Sequence, residues 1–343
     1  MATCCARAPA TSAQVTPCRA CLRATLRAAA QFGAGLSPAV RTRDTLAGMT
    51  VFDLDAYLLR IGFTGERTAT LETLRELHQK HPESVPFESL DVLLERPISL
   101  ELGALTQKLV HEGRGGYCFE QNLLFAAALR ALGYEVEQLA ARVQWNDEDA
   151  TRVNARTHML LRVRVQNEPY FCDVGFGGLQ QTTPLRELTE IEQATTHEPF
   201  RLVALPAGSH AASPAELQMQ ARVQGSWRPL YRFDMQPQHL VDYELANYWI
   251  STNPNSRFVK GLLAARATEG RRYALHNNVF AVHNLGGETE RRLVTDALEL
   301  RELLQTTFRI RLPLAPTLDG LLERLVRLPR SPSIVPSMRP SRS

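Results

Sequence analysis

The run RGGYCFEQN, residues 114–122, places one thiol between a glycine turn and a helix-like stretch. After Cys118, Phe119, Leu123 and Ala127 share one side of that stretch. Leu124, Ala128 and Leu132 share a neighbouring side, so most of its circumference is apolar before Gly133 stops it. The spacing predicts a central, buried helix with Cys118 at its first turn. A helix N-terminus carries unpaired N–H groups and about half a positive charge, which favours a thiolate there. Gly115 and Gly116 let another backbone or a ligand come close. A thiol at this joint is positioned to ionise and attack; the competing reading is an inert, buried cysteine, and position alone leaves both open.

A thiolate nucleophile needs a base and a group to orient that base. His158 and Asp173 are the candidates. In THMLLRVRV, alternation puts Met159, Leu161, Val163 and Val165 on one face of a strand and His158 with Leu160 on the other. Asp173 lies in YFCDVGFGG, where an unpaired charge among apolar residues would be costly, so it requires a partner. A plain hairpin through Asn167-Glu168 sets Asp173 opposite about Arg162. Its partner is therefore open between Arg162 and His158. Glu120 suits the first turn of the helix, and Arg114 is placed to pair with it and brace the turn; both read as scaffold for the nucleophile.

Three kinds of element must position these groups. From residue 53 to about 133 the periods are helical: DLDAYLLRIG begins with acids and stops at glycine, TLETLRELHQKH sets Leu71, Leu74 and Leu77 near one face, and LGALTQKLVHEG again ends at glycine. From about 134 to 234 short strands take over. After about 243 come a helix-like DYELANYWIST, a hairpin-like stretch around Gly286-Gly287 and the helix TDALELRELLQTTF. Helices first and strands later argue an α+β fold.

The 343 residues, 44% hydrophobic and 22% charged, are long enough for a real core, and a net charge of +3 with scattered basic residues does not favour nucleic acid. No apolar run of about eighteen residues occurs, so no membrane span is expected. Four of the six cysteines fall in the first stretch (Cys4, Cys5, Cys18, Cys21), leaving Cys118 and Cys172 for the remainder. That argues against a disulfide framework and for a reducing, cytoplasmic compartment. Cys18 and Cys21 have the spacing of half a zinc site, but no second pair follows, and no metal is expected. Residues 1–48 are rich in Ala, Arg, Thr and Pro and carry no acid before Asp44. They read as a disordered arm or as sequence upstream of the true start at Met49; an Arg-rich transit peptide is the sharper alternative. Residues 329–343 read as a loose tail.

Over residues 49 to about 313 the chain resembles the arylamine N-acetyltransferases. The cysteine motif R-G-G-x-C-x-E-x-N is matched by Arg114, Gly115, Gly116, Cys118, Glu120 and Asn122; Thr157-His158 resembles the histidine segment, and DVGFG, residues 173–177, the aspartate segment. FDLDAYLLRIG, VPFESLDVLL, ISTNPNSRF, RRYALHNN and FRIRLP add to the likeness.

The resemblance implies an N-terminal helical bundle (49–133), a central β-barrel (134–242) and a C-terminal α/β lid (243–328), with a cysteine-protease-like triad of Cys118, His158 and Asp173. It implies acetyl transfer from acetyl-CoA, a co-substrate, to aromatic amines or hydrazines by a ping-pong route through acetyl-cysteine. It points to Phe87, Val143, Thr157 and Phe176 around the acceptor ring, and to Trp145, Gly175, Gly177 and Gly178 along the path of CoA. The same triad would equally serve a related amide synthase or a transglutaminase-like hydrolase, and a catalytically inert binding protein could keep the fold.

Overall fold

The computed structural model describes residues 52–147, 153–206 and 215–329. The expectations for residues 1–48 and for almost all of the 329–343 tail lie outside the described residues, as do the four early cysteines. Helices come first, as the periods predict. Helix α1 (Leu54–Ile61) starts where the Asp53 carboxylate accepts the Ala56 N–H at 2.9 Å and stops at Gly62, whose φ is 67°. Helix α2 (Leu71–Ser84) is capped by Thr70 and buries Leu74 and Leu77. Two short helices, α3 (Leu90–Leu93) and α4 (Leu102–Leu105), follow; the second widens into a π-helical turn over Thr106–His111, where the sequence predicts one continuous helix. Helix α5 (Cys118–Ala131) is buried over nearly its whole circumference.

The strands form two antiparallel sheets. One contains β2 (Glu135–Val143), β3 (Arg156–Val165), β4 (Glu168–Cys172), β5 (Leu185–Arg186), β6 (Phe200–Ala204), β7 (Leu217–Val223) and β8 (Ser226–Pro237) in the order β5-β4-β3-β2-β8-β7-β6. The chain after β5 reaches across to β6 through Glu190 N to Leu202 O at 2.7 Å and the paired bonds of Gln193 and Phe200, so the sheet is a nearly closed barrel. Its interior packs Leu160, Phe171, Phe200 and Phe233, while Met159, Leu161, Val163 and Val165 on the outer face of β3 join the core of the helices. The alternation along β3 is therefore real, but both faces are buried.

Helices α6 (Leu240–Thr252) and α7 (Arg257–Lys260) lead to the second sheet, made of β9 (Leu263–Thr268), β10 (Arg271–His276), β11 (Val279–Asn284) and β12 (Thr289–Leu293). Its remaining edge is β1 (Phe87–Glu88), a two-residue strand between α2 and α3, with Phe87 opposite Ala265. Helices α8 (Ala297–Thr306) and α9 (Leu318–Val326) share a core with this sheet through Leu275, Phe280, Leu300, Leu304, Leu321 and Leu325. Residues far apart in the chain thus complete one sheet beside the cysteine loop.

The β3–β4 connection corrects one expectation. The turn is Gln166-Asn167, both left-handed with φ of 51° and 68°, which suits a two-residue hairpin; Val165 pairs with Glu168 and Leu161 with Cys172. Relative to the predicted register, Asp173 moves two residues along β3, to the level of Leu160. Arg162 is not its partner: it bonds Glu187 at 2.7 Å and Glu137 at 3.0 Å.

Two buried histidines fix α5 within the helices. Tyr57 O–H donates to His81 Nδ1 at 2.8 Å, and His81 Nε2–H donates to Gln121 Oε1 at 2.6 Å. The amide of Gln121 in turn donates to the carbonyls of Pro86 (2.8 Å) and Gly116 (3.1 Å). His78 Nε2 accepts the Asp173 N–H at 3.2 Å, and its ring stands edge-on to Phe125. Burial pushes the pKa of His78 down to about 3 and that of His81 down to about 4. In the unfolded chain both take a proton near pH 6.5; in the folded protein they refuse it. Stability is therefore expected to fall as pH drops from about 6.5 to about 4, with a slope tending to two protons, or about 2.7 kcal/mol per pH unit. Urea unfolding measured across this range checks it: His81→Gln should remove about one proton from the slope, and a flat profile would contradict the buried neutral state.

Candidate active site

The cysteine loop is held by backbone and by charge. Gly116 N donates to Pro86 O at 3.3 Å and Glu88 N to Gly116 O at 3.1 Å, so the loop lies against β1 like a further strand. A Cβ on Gly115 would stand 2.1 Å from the Pro86 carbonyl oxygen, which reserves that position for glycine. Because the loop runs beside β1, the buried Arg114 meets Glu88 (Nε 3.0 Å, Nη2 2.7 Å) and Asp91 (3.1 Å). It does not pair with Glu120. That carboxylate instead accepts the Tyr117 N–H at 2.9 Å and the Lys108 ammonium at 2.7 Å, and Lys108 also reaches Asp91 at 2.7 Å. The predicted Arg114–Glu120 brace is in fact a network of Glu88, Asp91, Lys108, Arg114 and Glu120, joined at its edge by Arg96, in which the cation on Glu120 comes from the π-helical turn.

Cys118 is the first residue of α5, so its own N–H has no intrahelical acceptor. Its thiol lies 3.6 Å from the Thr157 carbonyl oxygen. His158 Nε2 bonds Asp173 Oδ2 at 2.7 Å, and Cys118 lies close enough to the ring to help hold a proton on it. His158 and the level reached by Asp173 differ by one strand repeat on one face of β3, so the two side chains meet diagonally. The second carboxylate oxygen accepts from Asn122 Nδ2 at 3.1 Å and from the Gly175 N–H at 2.9 Å.

Burial by itself would push the His158 pKa down, but the charge and hydrogen bond of Asp173, with Cys118 beside the ring, carry it up to about 10. Asp173 moves the other way: burial opposes its charge, but His158 and the donors from Gly175 and Asn122 hold it below the usual carboxylate range. At neutral pH the pair is imidazolium and carboxylate. Edge-on Phe176 at 5.2 Å and Tyr231 at 4.8 Å wall the ring.

Cys118 is only 4% exposed, yet it lines a cavity of about 230 Å³ between the barrel, α5 and the β9–β11 face of the second sheet. Phe87, Val143, Thr157 and Phe176 line the same cavity, as do Trp145, Gly175, Gly177 and Gly178. Gly175 touches the nucleophile's backbone: a Cβ there would lie 2.7 Å from Cys118 Cα. Arg114 and Glu120 stay outside, in the network behind the loop.

Several residues at the site escape the sequence reading. Asn122 carried a local signal, since four residues after Cys118 it lies on the same helix face; its side chain bonds Met159 O at 2.8 Å, Asp173 and Val174 N at 3.1 Å. Tyr231 and Phe258 had none, because only barrel closure and the packing of α7 bring them in. Arg257 and His276 also line the cavity without a signal in the chain. Among the described residues no group of three His, Cys, Asp or Glu is arranged to hold a metal ion, and no helix is long and apolar enough to cross a membrane.

A family model described as N-acetyltransferase matches residues 70–317. An arylamine N-acetyltransferase of Mycolicibacterium smegmatis is 40% identical over 261 residues, covering 75% of this chain and 92% of the relative. The Salmonella typhimurium arylamine N-acetyltransferase / N-hydroxyarylamine O-acetyltransferase is 40% identical over 261 residues, covering 76% and 89%. Among solved structures, that of the Mycobacterium marinum enzyme in complex with CoA superposes with a TM-score of 0.73 at 37% identity, covering 80% of this chain and 98% of that one. The expected resemblance is thus met over most of the chain and in its fold, and the chain belongs to the arylamine N-acetyltransferase family.

Proposed function

We propose that this protein transfers an acetyl group from acetyl-CoA to the nitrogen of arylamines, arylhydrazines or N-hydroxyarylamines through an acetyl-Cys118 intermediate. The observation that carries the reading is the line from Cys118 through His158 to Asp173 at the wall of an apolar cavity. Cys118, as thiolate, attacks the acetyl carbon of the donor. The new C–S bond forms as the bond to CoA sulfur breaks, and the leaving CoA thiolate takes the proton held on His158. One thioester replaces another, so the step is nearly balanced in free energy.

The amine then attacks the acetyl-cysteine. His158, now neutral, accepts the proton lost from nitrogen, the C–S bond breaks, and the amide leaves with Cys118 again a thiolate beside an imidazolium. Asp173 holds the ring in the tautomer that keeps Nδ1 for the thiol, since Nε2 is committed to the carboxylate. The unpaired Cys118 N–H is a donor for the developing oxyanion.

A flat, poorly solvated amine fits between Phe87, Phe176 and Val143 with Thr157 beside it. The donor is assigned to the path past Trp145, Gly175, Gly177 and Gly178. That path opens onto a second cleft of about 570 Å³ that shares Trp145, Gly178, Leu179 and Ala274 with the first and carries Arg222, Arg272 and Arg291. Arg272 is 2% exposed; its Nε donates to Glu198 and its Nη2 faces the same carboxylate, each at 2.8 Å, so it backs the cleft as a buried charge. The division into bundle (49–133), barrel (134–242) and lid (243–328) belongs to the same reading, with the β9–β11 sheet as the wall that covers the cavity.

Incubation with acetyl-CoA alone is expected to add about 42 Da to the peptide bearing Cys118, and addition of an arylamine to discharge it. Cys118→Ala should abolish both; an arylamine acetylated by that variant at near wild-type rate would end the scheme. Discharge by water in place of the amine would favour a hydrolase. Asp173→Asn, which leaves the ring in the wrong tautomer, is expected to slow acetyl-enzyme formation by about a thousandfold or more in single-turnover measurements. A loss of only a few-fold would reduce Asp173 to a packing role.

A further inference from the structure

We infer that Arg60, Arg266, Arg309 and Arg311 form a binding site for a ligand carrying several phosphate groups, at the seam where the first helices meet the second sheet and the segment after α8. The hydrogen bonds of the fold bring the four together. Arg60, in the last turn of α1, donates from Nε to the Leu109 carbonyl of the π-helical turn at 3.1 Å. Four residues further on, Gly113 O accepts the Arg311 N–H at 3.1 Å, and the Arg311 stem lies so close over that glycine that a Cβ there would stand 2.7 Å from Cδ. Arg266, on β9, donates from Nε to the Glu83 carbonyl at 2.8 Å and from Nη1 to the Thr307 carbonyl at 2.9 Å. Thr307 opens the run TFRIRLP, in which Phe308 and Ile310 are buried while Arg309 and Arg311 are exposed.

The charge of this group is not balanced within the fold. Among the described residues none of the four makes an ion pair with a carboxylate, whereas other arginines do: Arg67 with Asp55, Arg186 with Glu168, Arg301 with Asp319. Arg60 and Arg266 are anchored by neutral carbonyl oxygens, which orient a guanidinium without cancelling its charge. Burial first, and then repulsion from Arg311 and Arg309, lowers the Arg60 pKa. Burial and then Arg309 bring that of Arg266 down to about 10, with Glu83 offsetting part of the repulsion and Arg60 adding to it. Both stay cationic at neutral pH.

The anchoring bonds leave Nη1 and Nη2 of Arg60 and Nη2 of Arg266 for a ligand. Oriented guanidinium groups with spare N–H donors match phosphate oxygens in geometry and sign. A chain of phosphates carries enough charge to offset four cations; a lone carboxylate does not. None of the four lines the cavity at Cys118 or the second cleft, so neither substrate of acetyl transfer accounts for them. A ligand held here joins α1 to the segment after α8, and by binding only the folded chain it stabilises that chain.

Inorganic tripolyphosphate is the probe, titrated calorimetrically into the full-length protein at constant ionic strength. Its affinity is expected to fall at least about tenfold in the double variant Arg309→Gln/Arg311→Gln, equivalent to about 1.4 kcal/mol. Without the anion, that variant should unfold at a Tm no lower than the wild type, because like charges have been removed. Should it fail to fold, Arg309→Gln alone is expected to weaken binding in the same direction. The second cleft also carries arginines, so Arg222→Gln/Arg291→Gln is the control and should keep the binding. Absence of binding, an affinity unchanged in Arg309→Gln/Arg311→Gln, or a loss in the cleft variant that matches or exceeds it overturns the inference. ATP, titrated into the cleft variant, separates two sources of the phosphates: binding tighter than tripolyphosphate gives a nucleotide and weaker binding gives free polyphosphate, and either must depend on Arg309 and Arg311.

Discussion

The bond between His158 and Asp173 is the interaction on which the site depends. Both groups are at least 97% removed from solvent, and each would be unstable as a lone charge there. Together they are a matched pair, and the other carboxylate oxygen accepts from Asn122 and the Gly175 N–H. Satisfying every acceptor around a buried charge is what lets it persist in a low-dielectric interior. The elements that supply these partners are α5, β3 and the glycine segment after β4. The pair therefore ties helix, barrel and loop to one geometry, with the ring left facing Cys118.

The same logic recurs on the other side of the cysteine. Glu88, Asp91 and Glu120 are buried against Lys108 and Arg114, and removing one member of such a cluster typically costs about 3–5 kcal/mol because its partners are left uncompensated. Hydrophobic residues of similar size would hold the loop at less electrostatic expense. What the charges add is direction: a guanidinium fork and a carboxylate fix where Gly116 and Tyr117 must run, and hence where the first residue of α5 points. The glycines complete this by allowing contacts of backbone on backbone that no Cβ would permit.

The cavity is a by-product of the way the sheets meet. β1 belongs by sequence to the helices but pairs with β9, so Phe87 and its cross-strand partner Ala265 line the cavity side by side. Apolar walls around a reactive thiol exclude water and strengthen each charge interaction inside. The polar exceptions are few: Cys118 and His158 at the reacting end, with Thr157, Arg257 and His276 elsewhere in the lining.

By itself the sequence determined what local periodicity and local motif can determine. It placed a thiol at the start of an apolar helix, alternating faces on β3, helices before strands, and glycines where the backbone must come close. The resemblance carried by those motifs then joined Cys118, His158 and Asp173, a contact that spacing left open. Tertiary structure decided whatever depended on pairing across the chain. The β3–β4 register turned on two left-handed residues at Gln166-Asn167 and brought Asp173 to His158 and not to Arg162. Arg114 found Glu88 because the cysteine loop lies along β1, and Glu120 found Lys108 because a helix widened into a π turn. Tyr231, Phe258, Arg257 and His276 join the site only once the barrel closes and the second sheet packs over it. A side chain's neighbours along the chain fix its local conformation, but which charges and rings it meets at a distance is set by register and packing, which no short window of residues contains.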